Sequence, residues 1–498
     1  MKNSRHSLSR WTIYGLALGL TAFLPALSAA DHDNDDHDRD RDRNGPAVHP
    51  PNGERVRPQK VDRELRDLLR LTDDHRIEAT IKKLVSFGTR HTESSMTDPN
   101  RGIGAALNYA FDQMQSFAAT SHGRMTVVRQ TYHQPFVAGT ILTPEGVDIT
   151  NIVATIRGST TPNRVYVITG HIDSRRTIVT DAVGDAPGAD DDASGTAVVM
   201  EVARVLAKHA PESTIVLGIV DGEEQGLFGS RNLARNFAGA SALPTPFPGV
   251  RADIQGDFSN DIVGSSTSDD GTRDPHRLRL FTEGVPTLDT SLQAQLRVLV
   301  GGENDSQSRQ LGRFVKSVAE NDDTDMTIWL MFRRDRYLRA SDHVAFQEQG
   351  FPGARFTEPN EIFAHEHQDV RVENDTQFGD LIQFDDFKFM ERVAKVNIAT
   401  LYSLANGPGT PKNLLIMAQV LTNSTTMSWD ANTDPDLVGY EVVWRETTDA
   451  DWTHAIPVGN VTTVTFAFSP KDNFHFGLRA VDRDGHRSPV AFPTTKFN

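Results

Sequence analysis

Two apolar runs, each too short for a typical helix, end directly on charged residues, and this constrains the fold more than any other feature. Val165-Tyr166-Val167-Ile168 leads into Gly170-His171-Ile172-Asp173-Ser174, and Thr214 to Val220 leads into Asp221-Gly222-Glu223-Glu224. Short Val/Ile-rich runs of this kind read as buried strands. Between them Gly188-Ala189-Asp190-Asp191-Asp192 precedes a stretch from Ala197 to Ala207, where Val198, Val199, Val202, Val205 and Leu206 make a helical apolar face. Strand, helix and strand in that order build a parallel pair with a crossover, and open α/β sheets collect ligands at the carboxyl ends of such strands. Upstream, Leu65, Leu68, Leu69, Ile77, Ile81 and Leu84 recur at helical spacing. Ala105 to Phe117 predicts another helix, and Val127 to Tyr132 and Asn151 to Ile156 predict strands. The expected architecture over 61–405 is α/β, a mixed, centrally parallel sheet sandwiched by helices.

At 498 residues the chain has room for two or three globular parts. A formal charge of −16 excludes nucleic acid and anionic lipid as main partners, since either requires basic clusters. Hydrophobic residues at 38% and a mean hydropathy of −0.42 describe a soluble globular chain. There are no cysteines, so disulfides, thiolate zinc sites and cysteine nucleophiles are excluded. Residues 1–30 read as a secretory signal: Lys2, Arg5 and Arg10 precede the apolar stretch Trp11 to Leu27, and Ser28, Ala29 and Ala30 offer a cleavage site. A secreted or periplasmic protein without a membrane span after cleavage is therefore expected. Residues 31–60, rich in Asp, His, Arg and Pro, predict a disordered linker.

Asn406-Gly407-Pro408-Gly409 marks a second linker over 406–411. Beyond it, 412–498 predicts a small all-β sandwich, with strands at Asn413 to Leu421, Thr425 to Asp430, Gly439 to Arg445, Val461 to Phe468 and Asn473 to Asp482. Trp429, Gly439 to Arg445 and Phe476 to Asp482 resemble a fibronectin type III module. Phe474 stands where such modules often carry a tyrosine. A module of this kind binds a surface or polymer, or acts as a spacer; the sequence does not identify its partner.

A His, an Asp and a Glu from three successive segments can hold zinc, and an adjacent Glu can take a proton from the water it activates. The Asp run alone reads equally as a helix N-cap. Taken together, the segments resemble the M28 family of zinc peptidases, in the co-catalytic aminopeptidase group, over roughly 80–405. The resemblance implies two zinc ions, with His171, Asp191, Glu224, Asp257 and His365 as ligands. Asp191 would bridge the ions, Glu223 would be the general base, and Asp173 would orient the His171 imidazole. Asp253 and Asp261 fit the fourth ligand position less well than Asp257. In His365-Glu366-His367-Gln368-Asp369, His365 has the four-residue spacing to Asp369, and His367 remains an alternative. Ser341-Asp342-His343 reads as structural or as pocket lining, because neighbours in sequence do not form a triad.

The implied function is a zinc-dependent exopeptidase acting on peptides or proteins, most simply an aminopeptidase, since carboxylates around the metals suit a free peptide amine. A zinc carboxypeptidase, a glutaminyl-cyclase-like acyl transfer and a non-catalytic binding protein remain open on the same scaffold.

Overall fold

The computed structural model describes residues 51–136, 142–240 and 249–496. The expected leader and most of the first linker lie outside them. Among the described residues no helix is long and apolar enough to cross a membrane.

An eight-stranded sheet forms the centre. Its strands run Met125–Gln134, Val147–Ile156, Ser213–Val220, Thr161–His171, Asp253–Asn260, Gly353–Thr357, Arg277–Thr282 and Thr327–Met331. Thr161–His171 is parallel to both its neighbours, and Asp253–Asn260 is parallel to Gly353–Thr357. Antiparallel pairs flank this centre, and at one edge Arg277–Thr282 and Thr327–Met331 are again parallel. The sheet is thus mixed and centrally parallel, as the alternation of elements predicts.

Residues alternate between its faces because strand side chains alternate. Tyr166 and Ile168 pack into a core shared with the helices Asp74–Val85, Ala193–Leu206 and Phe387–Asn406. Val165 and Val167 pack with Leu233, Phe237 and Phe346 from the helices Phe228–Phe237 and His343–Gln347 on the other face. Both faces are dry, which is why the central strands read as continuous apolar runs.

The C-terminal part comprises two small antiparallel sheets. One joins Leu415–Ile416, Thr425–Ser428 and Thr463–Phe466; the other joins Leu437–Glu446 to His454–Gly459 and Phe474–Asp482. Met427 and Trp429 of the first share a core with Tyr440, Trp444, Phe476 and Leu478 of the second. His454–Gly459 was not expected; its apolar residues alternate with Pro457 and a glycine, which hides the period.

One linker expectation is corrected. Glu54–Arg55, inside the predicted disordered linker 31–60, pairs with His454–Ala455, and Val56 packs with Val443, Trp452 and Val490. One buried valine and an open strand edge were enough to order it. Residues 406–411 form a fixed joint: Arg164 donates to the Gly407 carbonyl and pairs with Asp434 at 2.8 Å, and Asn432 donates to the Gly409 carbonyl. The sandwich is held further by Asp305, which pairs with Arg313 and Arg445 at 2.7 Å each, and by Trp452 donating to Gln310.

Candidate metal centre

Parallel pairing places three strand ends at one rim. His171 is level with Val220, so Asp221 to Glu224 begin where His171 stands. On the other side Thr169 is paired with Ser259, and two more residues in that register bring Asp261 beside His171.

The acidic triplet is divided among three tasks. Asp192 caps the helix Ala193–Leu206: one carboxylate oxygen accepts the Gly195 N–H at 2.9 Å, and the other accepts the His171 N–H at 2.9 Å. That ties the helix start to the strand end. The approach is close, for a Cβ on Gly170 would lie 2.7 Å from the Gly195 carbonyl carbon, and one on Gly195 would lie 2.1 Å from the Asn260 oxygen. Asp190 turns away to accept the Gly264 N–H. Asp191 faces the cleft, its own N–H and that of Asp190 both held by the Asp380 carboxylate at 2.8 Å.

Asp191 lies between two imidazoles. Its Oδ1 is 3.1 Å from His171 Nε2, and its Oδ2 is 2.8 Å from His367 Nε2. Glu224 Oε1 is 3.1 Å from His367 Nε2, and Asp261 Oδ1 is 4.0 Å from His171 Nε2. His171, Asp191 and Asp261 therefore group around one point; around a second, Asp191 and His367 are joined by Glu366, with Glu224 reaching it through His367 Nε2. His171 Nδ1 is 3.1 Å from the Asp173 carbonyl oxygen. A carbonyl can only accept, so Nδ1 carries a proton and Nε2 is left facing the carboxylates, an arrangement that needs a proton or a cation between them. Burial pulls the His171 pKa down, but Asp192, Asp173 and Asp191 raise it well above the ordinary range. His367 is likewise pushed up to about 10 by Glu224 and Asp191 against its burial. The donor set calls for positive charge.

Asp173 holds the His171 ring through its backbone carbonyl rather than through the expected carboxylate, which is 3.6 Å from Nδ1. Its carboxylate accepts the N–H groups of Glu223 at 3.2 Å and Glu224 at 3.0 Å, fixing the Glu-Glu turn relative to His171. Burial raises its pKa, but His171 and these two N–H groups outweigh that and hold it low. Glu223 is partly exposed beside Glu224. Removal from water pushes its carboxyl well above the ordinary range, opposed by His171 and reinforced by Asp261, Glu224 and Asp342.

Of the seven residues singled out, the structure brings together His171, Asp173, Asp191, Glu223 and Glu224. It does not bring Asp257 or His365 to them. Asp257 is paired with Val167, four residues before His171, or about 13 Å along the strand. Its carboxyl is buried without a hydrogen-bond partner, and burial together with Asp342 pushes its pKa well up. Asp261, just past the strand end, stands in its place. His365 is stacked on Phe384 with ring centroids 3.7 Å apart. Residues 363–367 coil rather than extend: the His365 N–H bonds to the Ile362 carbonyl, and His367 takes a left-handed φ of 55°, which swings its ring to Asp191.

A family model described as Peptidase family M28 matches residues 151–382, which contain all the converging residues. The chain is 49% identical over 90% of its length to a probable zinc metalloprotease of Pyrenophora tritici-repentis, covering 90% of that protein. The chain belongs to peptidase family M28. It is also 48% identical, over 88% of its length, to a probable zinc metalloprotease of Leptosphaeria maculans, 98% of which is covered. Among solved structures, the M28 chain is similar to the LapA aminopeptidase of Legionella pneumophila, with 17% identity and a TM-score of 0.47 over 70% of this chain and 76% of that one.

Several supporting residues of the M28 chain carry no local sequence signal. Arg90, fully buried, donates to the carbonyls of Ile172, Pro187 and Gly188, and so clasps the His171 and Asp191 loops together. Arg90→Leu would leave three buried carbonyls unpaired, and each unpaired group costs about 1–3 kcal/mol. A loss of about 3–5 kcal/mol in urea-unfolding stability is expected. Arg355 pairs with Asp261 at 2.9 Å and with Asp335 at 3.1 Å, holding the fourth ligand candidate from below. In Ser341-Asp342-His343 no triad forms: His343 bonds the Arg334 carbonyl, and Ser341 bonds Ser259.

Proposed function

We propose that the protein is a zinc-dependent aminopeptidase that uses two zinc ions sharing Asp191, with Glu223 as general base. The single observation that carries this is Asp191, whose two carboxylate oxygens each address the Nε2 of a different histidine. One ion would be held by His171, Asp191 and Asp261, the other by Asp191, Glu224 and His367. The donors fit zinc in type, being imidazole nitrogens and carboxylate oxygens with no thiolate. Glu224 Oε1 supports the fit: it is buried and makes no well-aligned hydrogen bond although His367 Nε2 is 3.1 Å away. Bound zinc supplies Lewis acidity, polarising the peptide carbonyl and lowering the pKa of the attacking water.

The chain's own residues do the rest. Glu223 accepts the proton of the attacking water as the new C–O bond forms, then returns it to the departing amine as the C–N bond breaks. Its shielded carboxyl, kept more basic than in solution, suits that exchange. Asp173 keeps Glu223 and Glu224 in register with His171, so base and ligands move as one unit. The excess of carboxylates around the cleft favours a protonated amino terminus over a substrate carboxyl terminus at the scissile residue. We read the C-terminal sheets as a fibronectin type III-like module without chemistry, and the leader as directing export.

The test joins metal analysis to a substrate panel. Purified protein should contain two zinc ions per chain, lose hydrolysis when treated with EDTA and regain it on zinc addition. It should cleave aminoacyl substrates with a free amine but not their N-acetylated forms. Cleavage that persists after zinc is removed, or that prefers blocked amino termini, would overturn the reading.

A further inference from the structure

Most cations around the metal centre are fully engaged within the fold. Arg90 is spent on three carbonyls, Arg355 on Asp261 and Asp335, Arg336 on Glu361 and Asp335, Arg339 on Glu361 and Glu366, and Arg176 on Asp369 and Asp181. Arg175 differs. Its Nε is 3.2 Å from Glu224 Oε2 and its Nη2 is 2.6 Å from His367 Nδ1, while its Nη1 has no hydrogen-bond partner among the described residues. The side chain is 22% exposed. Its two partners are therefore the groups proposed to hold the second ion.

The His367 contact and a cation on His367 Nε2 are incompatible, whereas Glu224 can offer Oε1 to the cation and keep Oε2 toward Arg175 Nε. A guanidinium only donates, so Nη2 needs a lone pair on His367 Nδ1, which the ring has only when it is neutral with its proton on Nε2. A ring that gives Nε2 to a cation keeps its proton on Nδ1, and Nη2 then loses its acceptor. Glu224 would at the same time share its charge with a dication. What remains is a fixed positive charge at the edge of the site, with Nη1 and Nη2 forming the end-on fork that matches a carboxylate bidentately.

We infer that Arg175 forms a subsite for a carboxylate of the substrate, next to the second metal position. The inference rests on the peptidase reading above. The carboxylate has two sources: an acidic side chain following the scissile bond, or the free carboxyl terminus of a dipeptide. Arg175 thus sets a preference for substrates that carry negative charge on the leaving-group side, in a protein whose net charge of −16 otherwise repels them.

The experiment compares wild type and Arg175→Gln, both loaded with zinc, on three substrates with a free amine. These are a neutral dipeptide amide, the same dipeptide with a free carboxylate, and the amide with Glu as its second residue. Wild type should favour one or both carboxylate substrates, and Arg175→Gln should lose about tenfold to a hundredfold in kcat/KM on the favoured ones, with the neutral amide nearly unchanged. Loss on the free acid alone identifies the terminal carboxylate; loss on the Glu amide alone identifies the side chain. Zinc affinity, read by chelator competition, should be no weaker in Arg175→Gln, because a competing cation has been removed. An equal loss on all three substrates, or weaker zinc binding, would overturn the subsite, since Arg175 would then act on the reaction centre or organise the ligands. If wild type hydrolyses none of the three, the peptidase reading itself fails.

Discussion

Glu223→Gln is expected to lower hydrolysis by about 10²- to 10⁴-fold while leaving two zinc ions in place. The substitution keeps the shape of the side chain, and the backbone N–H of residue 223 still bonds to Asp173 Oδ1, so the turn that carries Glu224 should hold. What disappears is the basic oxygen. Among the described residues no ion pair links Glu223 to either imidazole, whereas Glu224 Oε1 lies 3.1 Å from His367 Nε2, which suits the proposed roles of base and ligand. Stability should rise slightly or stay level, because a neutral amide replaces a carboxyl that is costly to ionise where it stands. The check is kcat on a free-amine substrate beside zinc measured by emission spectrometry on the same preparation. Retained activity would remove Glu223 from the reaction, and loss of zinc would make it a ligand.

How much of this was legible depended on whether local pattern decided position. The central strands read directly, because both faces of the sheet are buried and the apolar runs of 165–168 and 214–220 had one interpretation. His171, Asp173, Asp191, Glu223 and Glu224 were legible for the same reason, since each is within a few residues of a strand end or helix start. Asp257 failed because the end of its strand was not marked: Ser259 and Asn260 look like loop residues, yet they continue the strand, and the ligand position moves four residues on to Asp261. Asp253–Asn260 can carry polar residues at its end because Ser259 and Asn260 face groups supplied by distant segments, Ser341 for Ser259 and Asn397 for Asn260. Arg90, Arg175, Arg355 and Asp380 reach partners as far as 98, 192, 94 and 190 residues away in sequence, and no spacing rule reaches that far. Val56 and the strand before it joined a sheet nearly 400 residues away.

The two histidines of 365–369 give the second large effect. His367→Ala is expected to leave about one zinc ion per chain and to reduce kcat/KM by at least about a hundredfold, equivalent to about 2.7 kcal/mol of transition-state stabilisation. His365→Ala should keep both ions and most of the activity. The four-residue spacing to Asp369 favours His365, but Asp369 is taken by Arg176 at 2.7 Å, and its carboxylate is held low by that bond. His365 instead covers Phe384, so its loss should cost only about 1 kcal/mol of stability, as for other stacked ring pairs. His367 reaches Asp191 because its left-handed backbone reverses the chain at that point, and Glu366, paired to Arg339, is held beside Asp191 and His367. Zinc stoichiometry separates the pair without depending on activity. If His365→Ala loses an ion while His367→Ala keeps two, the second position lies on the other side of the turn, and the pairing of Asp191 between His171 and His367 no longer describes the metal centre.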